Sequence, residues 1–376
     1  MSEAKAKGTA SWYLQYESVA PLSRQPIAEK LMKTILPTSL QIDKRAEAIS
    51  LFILLLLFLA CYHCYAQIPK AMNTNPLLCD PETGVCEIPG QVENKSLDPI
   101  KAEDKPVKII YFTDPICSSC WGIEPQLRRL KLEYGPSVAF EYHMGGLLPD
   151  WSYNSGGISK PSDVAHHWDE VSAHYKMPID GDVWLEDPLD SSYPPSIAFK
   201  AAQLQDEKKA ISFLRLLREM VFLEKKNITK WEHLAHAATL VGLNAEELRQ
   251  AYEHQAQDLF KADLALARQM GVRGFPSIFV TNAAGKQEFI YGVKPYSTFE
   301  NAIKTVYPSI EKRAFHSSWE SLFQHYPTLT IREFSELSNL PLTEGEAILR
   351  KLASEHKLNV VPSKNGPLFQ RVDYKR

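Results

Sequence analysis

The chain has 376 residues, 44% of them apolar, and a net charge of −3 from 42 basic and 45 acidic side chains. That length accommodates two domains with appendages, and the near-balance of charge excludes the signature of a polyelectrolyte binder or a charged tail. Six cysteines stand at 61, 64, 79, 86, 117 and 120 and none follows, which excludes a fold stapled throughout by disulfides and points to local thiol chemistry.

Residues 1–71 read as an N-terminal extension around an apolar segment, 48–62. Its unbroken core, Leu51 to Cys61, follows Lys44 and Arg45 and is shorter than the ~20 residues of a membrane-spanning helix. It suits a signal-peptide core with Cys64-Tyr65-Ala66 before Gln67 as the cleavage site, but over forty residues precede its charged flank, a misfit that translation from Met32 removes. A start at Met72 is the competing reading and implies a cytoplasmic protein. Use of residues 48–66 implies an exported or membrane-anchored one. A buried core helix is the third option. Cys61 and Cys64 read as incidental to the apolar run, and Phe58-Leu59-Ala60 is a poor lead for lipidation at Cys61.

Residues 72–105 combine a cysteine-pair segment with a polar linker beginning at Gln91. Cys79 and Cys86 flank a Pro/Gly turn, Asp80 to Val85. They read as an auxiliary dithiol, closed as a loop or relaying electrons to Cys117 and Cys120. Zinc is the alternative, with Cys79 and Cys86 as two of four thiolates, with or without Cys117 and Cys120, although the gap is wider than the two to four residues usual between zinc thiolates. No other cofactor is expected. Asn94-Lys95-Ser96 and Asn227-Ile228-Thr229 match the glycosylation pattern, a weak signal.

Residues 106–309 carry the main domain. Val107 to Phe112 is a β-rich run ended by Asp114-Pro115. From Cys117 the apolar residues Ile123, Leu127, Leu130 and Tyr134 keep helical spacing until Gly135-Pro136. Val138 to Met144 is a second strand, so the cysteine pair lies at the strand-to-helix junction of a βαβ unit. A mostly helical insertion follows at about 158–270, with helices over 196–205, 208–225, 229–240 and 244–269, and Asn227 or Thr229 and Asn244 as caps. His166, His167 and His174, near Asp169 and Glu170, read as helix-surface residues rather than a metal cluster. Gly274 to Val280 is turn into strand, Asn282 to Gly285 a hairpin turn, Gln287 to Tyr291 the return strand and Ser297 to Val306 a closing helix. This order predicts an α/β thioredoxin-like fold with a helical insertion.

Cys117-Ser118-Ser119-Cys120 places both sulfurs within one helical turn. Cys117, at the helix N-terminus, meets unsatisfied N–H groups and the positive end of the helix dipole, which favour its thiolate as the attacking sulfur. Cys120 then resolves the mixed disulfide. In thioredoxin folds a cis-proline faces the cysteine pair and exposes backbone to substrate; Phe275-Pro276, ahead of a β-run, fits that place. Half a zinc site and two structural cysteines are the competing readings.

Residues 312–376 look separate. Helices over 319–326, 331–338 and 343–356 precede strands 358–361 and 368–372 around Ser363-Lys364-Asn365-Gly366, whose Asn-Gly favours a hairpin. This is a winged-helix-like outline. Its recognition helix would begin Thr343-Glu344-Gly345-Glu346, facing carboxylates to phosphates. A protein-contact module is therefore expected, and no nucleic acid.

The motif Asp114-Pro115-Ile116-Cys117-Ser118-Ser119-Cys120-Trp121, with Glu124-Pro125 and Arg128, resembles the DsbA-type branch of the thioredoxin superfamily. More narrowly it resembles the SpxH (YjbH) group, related to the FrnE-like dithiol oxidoreductases. The likeness continues through Gly181 to Trp184, Ala198 to Ala202 and Lys225 to Thr229, covering about residues 106–376. It implies disulfide exchange with protein substrates, Cys117 and Cys120 being catalytic and Phe275-Pro276 contacting substrate. The alternative it implies is an adaptor that presents the regulator Spx to the ClpXP protease, with the CxxC as redox sensor or dispensable. Phe275 before Pro276 departs from the family pattern.

Overall fold

The computed structural model describes residues 79–80, 84–87, 105–152 and 160–375. The apolar segment with Cys61 and Cys64, the two internal starts Met32 and Met72, and most of the linker with Asn94 lie outside the described residues. No helix among the described residues is long and apolar enough to cross a membrane.

The core is a four-stranded sheet, β4-β3-β6-β7, where β3 is Val107–Thr113, β4 Val138–Met144, β6 Ser277–Asn282 and β7 Gln287–Tyr291. β3 is central, parallel to β4 and antiparallel to β6, and every one of its residues is buried. A strand covered on both faces needs an apolar run rather than alternation, which Val107, Ile109, Ile110 and Phe112 supply. The Asn282–Gly285 turn forms as its sequence predicts. Asn282 Oδ1 accepts from the amides of Ala284 and Lys286, and Gly285 takes φ +79°.

The helix expected from Cys117 to Tyr134 is two helices, α1 (Ser118–Gly122) and α2 (Glu124–Tyr134), parted at Ile123. Pro125, in the first turn of α2, has no N–H to continue the ladder from α1 and is well placed only where a helix begins. The insertion folds as α3 (Pro161–Tyr175), α4 (Val183–Glu186), α5 (Tyr193–Gln205), α6 (Glu207–Leu223), α7 (Trp231–Leu240), α8 (Ala245–Glu253) and α9 (Gln255–Gln269). The stretch 244–269 is thus two helices, broken at His254, where the Gln257 side chain takes the Tyr252 carbonyl. Asn244 caps α8. Asn227 and Thr229 cap nothing: α7 starts after Lys230, and Asn227 Oδ1 instead accepts from the Thr229 amide and hydroxyl in a local turn. Helix α10 (Tyr296–Val306) closes the domain.

Beyond it, α11 (Trp319–His325), β8 (Thr328–Thr330), α12 (Ile331–Ser338), α13 (Leu342–Ser354), β9 (Leu358–Val361) and β10 (Leu368–Arg371) enclose a core of their own around Leu322, Leu329, Phe334, Leu349 and Phe369. The sheet order is β8-β10-β9. Strand β8 was not foreseen; three residues carry too little pattern, and its partner β10 lies some forty positions away. Leu132 of α2 packs against this second core.

A third, small sheet joins β1 (Cys79–Asp80), β2 (Val85–Glu87) and β5 (Gly274–Phe275).

Candidate functional site

Strand β3 delivers Asp114 to the top of the sheet, and the chain turns there into α1. Asp114 fixes the turn: Oδ1 accepts from the Ile116 amide at 3.0 Å, and Oδ2 from the Leu147 amide and the Ser192 hydroxyl, both at 2.8 Å. Burial pushes its carboxyl up to about 6 despite these donors. The turn sets Cys117 as N-cap of α1, with its Sγ accepting from the Cys120 amide at 3.1 Å. Cys117 and Cys120 are disulfide-bonded, 5.2 Å apart at Cα. Both are buried, as is every residue of α1. Ser119 of the dipeptide between them hydrogen-bonds the Tyr175 hydroxyl at 3.0 Å.

Phe275 and Pro276 stand where β5 passes into β6, and the peptide between them is cis. Phe275 is fully buried in the core that also holds Cys117 and Cys120. Its ring lies against bare backbone at Gly145, where an added Cβ would fall 1.7 Å from the ring. The bulky residue before the proline is accommodated because position 145 has no side chain.

The hairpin β1–β2 sets Cys79 directly opposite Cys86, and Cys86 in turn directly opposite Phe275. Strand β2 also runs beside α1. The structure therefore gathers all six residues singled out from the sequence into one neighbourhood. Among the described residues no group of three or more His, Cys, Asp or Glu is arranged around a metal position. His166 is a surface residue paired with Glu170 at 3.2 Å, whereas His167 is buried, against expectation, on the inner face of α3.

Beneath α1 lies a buried ionic network that sequence reading missed. Trp121, the residue after the CxxC, donates to the Pro178 carbonyl at 3.0 Å and stacks on Phe222. The Arg215 guanidinium sits 4.3 Å from the centre of a Trp121 ring and grips Glu333 of α12 with two hydrogen bonds, at 2.7 and 3.1 Å. Arg128 reaches the same carboxylate at 3.3 Å and donates to the Thr328 carbonyl at 2.7 Å. Arg218 binds Glu124 and Thr113, each at 2.5 Å. Burial works to raise the Glu124 carboxyl, but Arg218, Arg215 and Arg128 prevail and hold it low. The signal was Arg215, Arg218 and Glu219 interrupting the apolar face of α6, charges that such a face carries only when paired. A cavity of about 370 Å³ opens beside this network, and its lining includes none of the cysteines nor Pro276.

The thioredoxin family model matches residues 111–301. The chain is 32% identical over 309 residues to the ClpXP adapter protein SpxH of Halalkalibacterium halodurans, covering 81% of this chain and 100% of that protein. It is 29% identical over 271 residues to the SpxH of Bacillus subtilis, covering 71% of this chain and 89% of that one. Among solved structures, the cytosolic disulfide reductase DsbM of Pseudomonas aeruginosa superposes with a TM-score of 0.44 at 20% identity, over 53% of this chain and 99% of that one. The chain belongs to the thioredoxin family, in its DsbA-type SpxH group.

Proposed function

We propose that the protein is a SpxH-type adaptor that binds a protein client and brings it to ClpXP, with Cys117–Cys120 as a redox-responsive element rather than an open turnover site. The observation that carries this reading is the closure of the site. Both cysteines are buried, and the backbone edge at Phe275, where an extended substrate would add as a strand, is already paired with β2. An exchange enzyme acting on many substrates needs that edge and the attacking sulfur within reach. The match to the SpxH proteins over nearly their whole length supports the same reading. The test is reconstitution: with purified ClpXP, the protein should accelerate degradation of a Spx-type regulator, and an unchanged degradation rate sinks the adaptor reading.

A second reading, thiol–disulfide oxidoreductase on protein substrates, is favoured by the intact Cys117–Cys120 pair beside Pro276. Here Cys117 attacks the substrate disulfide, Cys120 resolves the mixed disulfide and the Pro276 segment holds substrate backbone. Insulin reduction by wild type but not by Cys117→Ser supports it; equal rates for the two proteins remove it.

A further inference from the structure

We infer that Cys79 and Cys86 are the built-in exchange partner of Cys117–Cys120: the β1–β2 hairpin occupies the edge beside Pro276 as a substrate strand would, with Cys86 at the substrate-cysteine position. Three backbone facts carry this. Residues directly opposite in an antiparallel ladder lie roughly 4.5–5.5 Å apart at Cα, within the range a disulfide spans, and Cys79 is opposite Cys86. Cys86 is opposite Phe275, the residue preceding the proline, while β2 runs beside the helix that bears Cys120. The hairpin turn is held to the same rim. The Val293 amide donates to the Gly84 carbonyl at 2.9 Å, and the preceding amide, Gly292, donates to the Pro276 carbonyl at 2.9 Å. Gly84 takes φ +70° and leaves no room for a side chain, since a Cβ there would fall 2.6 Å from the Val293 nitrogen. The hairpin is thus fitted to the redox site rather than resting near it.

The exchange is internal and balanced. With Cys117–Cys120 oxidised, as in this structure, the Cys86 thiolate attacks Cys117 Sγ. A Cys86–Cys117 bond forms, the Cys117–Cys120 bond breaks, and Cys120 leaves as thiolate and takes up a proton. Cys79, deprotonated in turn, attacks Cys86 Sγ, closing Cys79–Cys86 and releasing Cys117 as thiolate. One dithiol is oxidised and one disulfide reduced, two electrons pass between the pairs, and the two protons lost by the hairpin thiols balance those gained at Cys117 and Cys120. No outside oxidant or reductant enters. The chemistry makes the hairpin a redox relay for the site.

The inference rests on Cys117 being able to exchange, which both functional readings retain, and the experiment separates the two claims. The full chain with Cys61→Ser and Cys64→Ser serves as background. In it, Cys79→Ser/Cys120→Ser leaves Cys86 and Cys117 as the only thiols, and Cys86→Ser/Cys120→Ser leaves Cys79 and Cys117. Each is treated with oxidised glutathione, alkylated, digested without reduction and read by mass spectrometry. The first variant should form the Cys86–Cys117 link in monomer, unchanged by dilution because the partner is tethered, and about tenfold or more in excess of any Cys79–Cys117 link in the second. Glutathione accumulating on Cys117 with no link to Cys86 overturns the relay while leaving Cys117 an exchanging thiol. Cys117 acquiring neither partner overturns both. The Cys61→Ser/Cys64→Ser background itself, with both pairs intact, provides a second arm: fully reduced protein given one equivalent of oxidant should distribute the disulfide between the two pairs, and its confinement to one pair overturns the relay.

Discussion

The CxxC helix has two neighbours, and they hold it by opposite means. Above, a hairpin of two short strands meets β5 through a ladder of two residue pairs. Below, Trp121, Arg215, Glu333 and Arg128 form a buried chain of stacking and ion pairs that ties the helix to the C-terminal module. A short ladder is a low-stability unit that opens locally. A buried charge network is all-or-none, because removing one partner strands the others. The CxxC helix therefore has a fixed floor and a liftable cover.

The largest effects are expected from below. Glu333→Ala leaves Arg128 and Arg215 buried without their shared counter-ion and should cost about 3–5 kcal/mol in denaturant unfolding; a loss under about 1 kcal/mol would mean the floor is not ionic. Asp114→Ala strands two amides and a hydroxyl and should cost about 2–4 kcal/mol. Asp114 also sets a pH dependence. Its folded carboxyl is raised to about 6 from an ordinary value near 3.8, so the folded state binds the proton more tightly than the unfolded one. Stability from this group is greatest below the ordinary value and falls as pH rises through that window, by at most about 3 kcal/mol. Asp114→Asn, having no such proton, should show a flatter profile in urea titrations between pH 4 and 7.

From above the effects are smaller in stability and larger in access. Gly145→Ala drives a methyl into the Phe275 ring and should cost about 1–3 kcal/mol, with faster maleimide labelling of Cys117 in reduced protein as the ring and β5 give way. Gly84→Ala strains the φ +70° turn and clashes at Val293, for about 1 kcal/mol. It should raise Cys117 labelling while leaving the C-terminal core untouched by hydrogen exchange. Unchanged labelling in both variants would show that the hairpin does not cover the site.

Where local pattern decides structure, the sequence was readable. The buried strand β3, the strand β4, the Asn282–Gly285 turn and the position of Pro276 all follow from runs of a few residues. Where partners are distant, it was not. Nothing around Val85-Cys86-Glu87 announces a ladder with Gly274-Phe275, some 190 positions on, and a three-residue strand has no periodicity of its own. Arg215 and Arg218 interrupt an apolar helix face, but nothing near them in sequence names their partners, Glu333 of α12 for Arg215 and Glu124 of α2 for Arg218. Pro125 did carry the break between α1 and α2, masked by an apolar spacing that runs straight through it.

Glu333 has one further consequence. Its carboxylate accepts from the Thr330 amide to complete the capping box at the start of α12, and the same group is the counter-ion of Arg128 and Arg215 in the main domain. The second apolar core lies mostly beyond residue 312, but Leu368 packs into the first core and Glu333 is shared with the main domain. Residues 312–376 are for that reason not an interchangeable cassette: a chimera that grafts a related C-terminal segment has to bring a carboxylate at this position, or both the graft's second helix and the host's arginines lose their anchor at once.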